Sequence, residues 1–144
     1  KIFDDYGHHP TEIKTTLSGL KKAQQNTITC IFHPHRYSRV QEHLTDFFTA
    51  FSDVDVLILT PIYTANEQNQ DPEIFNQLKK GIATHFKKTF IVLESQPDIL
   101  AYIKTHLSKN TTIISMGAGD IYKTTQQLTQ YFQNTATKEP PSNN

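Results

Sequence analysis

Two acids, a tyrosine and two histidines stand within residues 4–9, in the run DDYGHHPTEI near the chain start, and a second polar run, FHPHRYSR at 32–39, carries two more histidines and both arginines of the protein. Every other basic side chain is lysine. A solvated surface can be made of lysine, whereas a planar carboxylate or phosphate is gripped best by the rigid fork of a guanidinium, so Arg36 and Arg39 are candidates for an oxyanion clamp. Arg39 falls in the first turn of an expected helix, where a cation opposes the helix dipole while the free backbone N–H groups welcome an anion. A bound anion would resolve that conflict. His33 and His35, with His8, His9, Asp4 or Asp5, could surround a metal ion, but Pro34 between them and a helix beside them suit structural hydrogen bonding equally well.

A long loop at 61–71, PIYTANEQNQD, places Tyr63 and Glu67 where binding residues often lie. GAGD at 117–120 follows an expected strand and opens a helix. Tyr122 stands where a dinucleotide fingerprint would have its third glycine, so the segment reads as a tight turn with Asp120 at a helix start. The chain has no GxxxxGK[ST] run and therefore no P-loop of its own.

The elements that must position these residues follow from periodicity. Pro10 with Ile13, Leu17 and Leu20 predicts a helix over 10–25. TITCIF at 27–32 predicts a strand that stops where the polar motif begins. Ser38 and Gln41 suggest a capping box, with Val40, Leu44, Phe47, Phe48 and Phe51 as the apolar face of a single helix. Residues 54–59 read as a strand covered on both faces, 74–86 as a helix, 89–93 as a strand, and Ser95 as the cap of a further helix. A fourth strand at 111–115 and a last helix through Phe132 complete the series. Short buried strands alternating with helices predict a Rossmann-like α/β fold, a mostly parallel sheet with helices on both faces and its site beyond the carboxyl ends of the strands. Residues 1–133 would form this domain, and 134–144 a flexible tail or linker with little to bury.

Composition narrows the function. With 14 basic and 14 acidic residues the formal charge is zero, so no general field recruits nucleic acid. No window resembles a membrane span. The lone Cys30 lies in an apolar run and reads as a buried, inert thiol in a reducing compartment. A chain that begins on Lys1, just ahead of a site-like cluster, is expected to be part of a longer protein.

Four segments in this order, DDYGHHPTEI at 4–13, FHPHRYSR at 32–39, VDVLILTPIYTANE at 54–67 and GAGDI at 117–121, resemble the C-terminal domain of the Mur ligase family, in its L-alanine-adding branch. The resemblance implies a cytoplasmic three-domain enzyme of peptidoglycan synthesis. A UDP-binding domain and an ATPase domain would precede this one in the same chain. The reaction would join L-alanine to UDP-N-acetylmuramate, with ATP and Mg²⁺ bound mainly by the central domain and this domain inactive alone. It also implies residue roles. Arg36 and Arg39 would grip the carboxylate of alanine or the adjoining anionic intermediate, and His8 would orient groups near the acyl phosphate. Asp5 would face the nucleotide ribose, Tyr6 would pack at the hinge, and Tyr63, Ala65 and Glu67 would border the amino-acid pocket. No metal ligand is expected here. The chain departs from the family's common residues at His33 (glutamine), Ser38 (threonine) and Asn66 (glycine). Two other readings remain open on the residues alone: a metal-dependent hydrolase using His8, His9, His33 and His35, and a noncatalytic domain that binds small carboxylates.

Overall fold

Near-continuous apolar runs in the strands require cover on both faces of a sheet, and the structure supplies it. The computed structural model describes residues 1–108 and 110–136. Its strands are β1 (Ile2–Asp5), β2 (Thr27–Phe32), β3 (Val56–Leu59), β4 (Thr89–Val92) and β5 (Thr111–Met116). They form one sheet in the order β1-β5-β2-β3-β4, every pair parallel. The helices are α1 (Pro10–Ala23), α2 (Tyr37–Glu42), α3 (Leu44–Phe48), α4 (Pro72–His85), α5 (Gln96–His106) and α6 (Ile121–Ala136). The fold is therefore Rossmann-like α/β.

Ile28, Cys30 and Phe32 of β2 point to one face, where α1, α3 and α4 add Leu17, Phe47 and Leu78. Ile31 and Ile58 point to the other, under Ile103 of α5 and Leu128 of α6. Right-handed crossovers explain the division. The chain moves across the sheet in one direction through β2, β3 and β4 and then returns to β5, so the helices after the reversal cover the opposite face. β5 thus lies between β1 and β2 but leads to the other layer. Strand neighbours whose continuations diverge leave a crevice at their carboxyl ends, the usual ligand position in such sheets.

Four features differ from the sequence expectation. β1 is a fifth strand, hidden because half of its four residues are aspartates and it lies half-exposed at the sheet edge. The single helix expected after Ser38 is two, divided at His43, whose backbone (φ −116°, ψ 24°) leaves the helical region. The turn still lets Phe47 and Phe51 pack on Phe32, with ring centres 5.6 and 5.0 Å apart. Ser38 does not cap α2; no side chain of the Arg36 cap position does so either. Finally, α6 continues to Ala136, so residues 134–136 of the expected tail are helical, and the remainder of that tail, 137–144, lies outside the described residues.

Cys30 is fully buried. Burial pushes its thiol far above the usual range, with the Asp5 carboxylate adding to the rise. Native protein should accordingly resist a maleimide at neutral pH and react only once denatured, a difference readable by mass spectrometry.

Candidate functional site

The first polar run bends immediately after β1. One Asp5 oxygen accepts the Gly7 N–H at 2.6 Å, which turns the chain so that His8 and His9 stand at the sheet's carboxyl edge. His9 Nδ1 then accepts the Thr11 N–H at 3.2 Å and caps α1, with Pro10 as its first residue. Its ring packs edge-on against His43, 4.4 Å between centres. His9 is thus occupied in structure. His8 is held differently: its Nδ1 lies 3.0 Å from the Tyr6 carbonyl, which can only accept, so Nδ1 carries a proton and a neutral His8 keeps its lone pair on Nε2. Tyr6 is 66% exposed, a large aromatic with an open face beside this turn.

The second run leaves β2 through Pro34 and is tied to the loop after β3 by an isolated parallel bridge between His35 and Tyr63. Tyr63 donates its N–H to the Pro34 carbonyl and Arg36 donates its own to the Tyr63 carbonyl, both at 2.8 Å. The Tyr63 ring stacks on His35 at 5.5 Å and contacts His33 at 5.7 Å. Within α2, Arg39 Nη1 lies 3.3 Å from His35 Nδ1. Arg36 sits at the cap position with φ 71°, a backbone conformation that L residues rarely adopt. Its side chain is exposed and makes no hydrogen bond or ion pair with another side chain among the described residues.

Glu67 supplies what the sequence argument assigned to a bound anion. Its carboxylate accepts the backbone N–H of Tyr37 at 2.5 Å and that of Ser38 at 3.3 Å, closing the amino end of α2 from another loop. Burial alone would raise its pKa. Hydrogen bonds from Ser38 and Tyr37, aided by the nearby Arg36 charge, outweigh that and hold it below the usual glutamate value. The turn that presents Glu67 runs through Ala65 (φ 49°) and Asn66 (φ 64°), both left-handed. Asparagine tolerates that region, so the conformation does not demand glycine at 66. Glu67→Ala should therefore lower stability by about 1 kcal/mol, the usual value of a helix cap. Because the folded-state pKa is depressed, this contribution is present above the ordinary glutamate pKa and is lost as pH falls through the lowered value. Glu67→Gln should remove that acid dependence, which denaturant titrations at several pH values would read.

His33, on the opposite side of Tyr63, opens toward the second layer. Its Nδ1 lies 2.6 Å from Thr60 Oγ1, and its Nε2 is 3.7 Å from Asp120 Oδ1. Burial lowers its pKa, opposed by Asp120 and by a hydrogen bond with Pro61. The backbone packs tightly here: His33 donates its N–H to Met116, and Gly117 and Gly119 lie against the His33 backbone and ring. A crevice of about 350 Å³ follows, lined by His33, Thr60, Glu94, Gln96, Asp120 and Thr124 among others.

The structure thus gathers His8, His35, Arg36, Arg39 and Tyr63 at one edge, while Ala65 belongs to the turn behind them and Asp5 to the turn before them. His8, His9, His33 and His35 are dispersed over separate partners. Among the described residues no three His, Cys, Asp or Glu side chains are placed to hold a metal ion. In the sequence His35 reads as a metal ligand or as a structural hydrogen-bonding residue; its contact with Arg39 depends on the turn at Arg36 that precedes α2, which no periodicity signals.

A family model described as "Mur ligase, glutamate ligase domain" matches residues 1–119. The UDP-N-acetylmuramate–L-alanine ligase of Clostridium perfringens is 41% identical over 122 residues, covering 85% of this chain and 26% of the relative. That of Fusobacterium nucleatum is 40% identical over 134 residues, covering 92% and 28%. The chain therefore spans about a quarter of the length of these curated relatives. Among solved structures, a murein peptide ligase of Psychrobacter arcticus superposes with a TM-score of 0.71 at 25% identity, over 92% of this chain and 27% of that one.

Proposed function

The chain belongs to the Mur ligase family, and on that premise we propose that residues 1–133 are the amino-acid-binding domain of an enzyme that joins L-alanine to UDP-N-acetylmuramate in cytoplasmic peptidoglycan synthesis, inactive without its preceding domains. The observation that best supports this reading is the convergence of Arg36 and Arg39 with His8 at the carboxyl edge, beside the first strand, where a preceding domain would enter.

In such a reaction a carboxylate oxygen of the sugar substrate attacks the γ-phosphorus of ATP and ADP leaves. The alanine nitrogen then attacks the acyl carbon, and the C–O bond to phosphate breaks. The amino group loses one proton before attack and another after it. With no P-loop in the sequence, the nucleotide phosphates belong to the ATPase domain. Mg²⁺ would likewise be held mainly by that domain.

The residues of this chain would act on the amino acid. Arg36, exposed and without a side-chain hydrogen bond or ion pair among the described residues, receives the alanine carboxylate as a planar fork. With Nδ1 of His8 committed to the Tyr6 carbonyl, its Nε2 can accept a proton from the amine or orient it. Tyr63 walls the pocket by stacking on His35, and Glu67 holds the clamp in place through the amino end of α2. Closure of the domain would exclude water from a hydrolysable acyl phosphate. Phosphate release by the full-length protein with ATP, Mg²⁺ and UDP-N-acetylmuramate should depend strongly on L-alanine. Turnover without that dependence would remove the proposal.

A further inference from the structure

His35 carries chemistry that neither its sequence motif nor the roles above assign. A guanidinium has only N–H donors, so the 3.3 Å contact from Arg39 Nη1 requires His35 Nδ1 to be an unprotonated acceptor. The ring proton then resides on Nε2, on the far side of the ring from Arg39. Nε2 makes no hydrogen bond among the described residues, and it is not one of the buried unpaired atoms, so its N–H is available to a ligand. Three independent restraints fix the ring: the backbone bridge to Tyr63, the stacked Tyr63 ring at an interplanar angle of 17°, and Arg39 itself. The charged and titratable groups that face it are Arg39 from α2, Arg36 from the cap position before α2, His8 from the turn after β1, His33 from the end of β2, and Tyr63 from the loop after β3. Burial first, then Arg39, His8, Arg36 and His33, all lower its pKa, which disfavours the doubly protonated ring.

His8 and His35 face one another with ring centres 6.0 Å apart, and their tautomers are opposite: His8 offers a lone pair at Nε2 and His35 offers an N–H at Nε2. We infer that His35 is a fixed, neutral hydrogen-bond donor to the anionic oxygen of the tetrahedral centre formed when the amine attacks the acyl carbon. The step needs no proton from His35. As the C–N bond forms, the carbonyl π pair moves onto oxygen and the resulting charge is met by the Nε2–H. That pair returns when the C–O bond to phosphate breaks. A preorganised donor of this kind acts on the transition state more than on the ground state. Arg39 is on this account a positioning residue that selects the tautomer.

The inference rests on the ligase reading, and the experiment separates the two. In the full-length protein, His35→Phe keeps a ring to stack on Tyr63 but removes both nitrogens, and His35→Gln retains an amide N–H near the position of Nε2. The expected result is a fall in kcat of roughly 100-fold for the phenylalanine variant, the scale of losing one oxyanion donor, with KM for L-alanine changed less than about threefold. The glutamine variant should recover to within about tenfold of wild type. Selective ¹⁵N-imidazole NMR of the wild-type protein should find His35 Nε2 protonated and Nδ1 bare at neutral pH, a signature indifferent to mere packing. If wild type turns over with alanine and His35→Phe does so equally, the inference alone is overturned. A protonated Nδ1 overturns it as well. If wild type shows no alanine-dependent turnover, the ligase reading falls first and the inference with it.

Discussion

Arg36→Ala in the full-length protein is expected to reduce ligation efficiency, kcat/KM for L-alanine, at least tenfold while leaving the folded domain nearly as stable as before. Both halves follow from one geometry. The guanidinium is exposed and makes no hydrogen bond or ion pair with another side chain among the described residues, so the fold loses only a weak, solvent-screened attraction to Glu67 when it is removed. In the closed enzyme the same group would be desolvated against a carboxylate, and truncating one partner of such a pair costs about 2–5 kcal/mol. Tenfold corresponds to roughly 1.4 kcal/mol, below that range. The backbone sharpens the test. At φ 71° Arg36 occupies a conformation that costs a side-chain-bearing residue about 1–3 kcal/mol, held by its N–H to Tyr63 and by its carbonyl, which accepts from Val40 at 3.2 Å. Arg36→Gly should therefore raise the melting temperature while abolishing the same ligation. A glycine variant that ligates normally would remove Arg36 from the site. Arg39→Ala should differ from both, because Arg39 also fixes His35, and its loss should appear in kcat as well as KM.

Residues whose local signals agree with their tertiary surroundings were legible. β2 is a β-branched apolar run, and α1, α4 and α5 have apolar periods, Pro at the first turn and local caps at His9, Asp71 and Ser95; the ends of β2, α1 and α4 lie within about two residues of the expectation. The missed features are those set by long-range partners. β1 is a strand because β5 offers it an edge, not because IFDD favours one. The capping box at Ser38 and Gln41 lost to Glu67, a carboxylate about thirty residues away that approaches the same N–H groups. The free N–H groups at that helix end do hold an anion, and it is the internal Glu67 carboxylate, not a bound ligand. The polar clusters were legible as polar runs at the strand ends, but the contacts each side chain makes there were not. Whether a histidine accepts, donates or caps depends on the group facing each ring nitrogen, and Tyr6, Thr11, Thr60 and Arg39 each decide a different case.

Gly117→Ala should be among the most damaging single changes in the domain, lowering stability by at least about 2 kcal/mol and melting temperature by roughly 4 °C for each of these. Gly117 has φ 144°, where a side chain is strained whatever the space, and there is no space: a Cβ would lie 2.4 Å from the His33 carbonyl oxygen and 3.1 Å from its Cβ. Backbone on one side and a buried strand end on the other leave nothing flexible to yield. Relief would require β5 and β2 to separate just where His33 donates its N–H to Met116 and Gly117 donates its own to Asp5. That displacement would move β1 and the His8 turn relative to the Tyr63 bridge, so ligation should fall further than stability alone explains. Gly19→Ala is the matched control. It lies within α1 with nothing inside 4 Å of the added carbon, so alanine should stabilise by about 0.5–1 kcal/mol through helix propensity. Thermal denaturation of the two variants should move in opposite directions. Equal behaviour would mean that the loop after β5 is not the tight hinge on which the two polar runs meet.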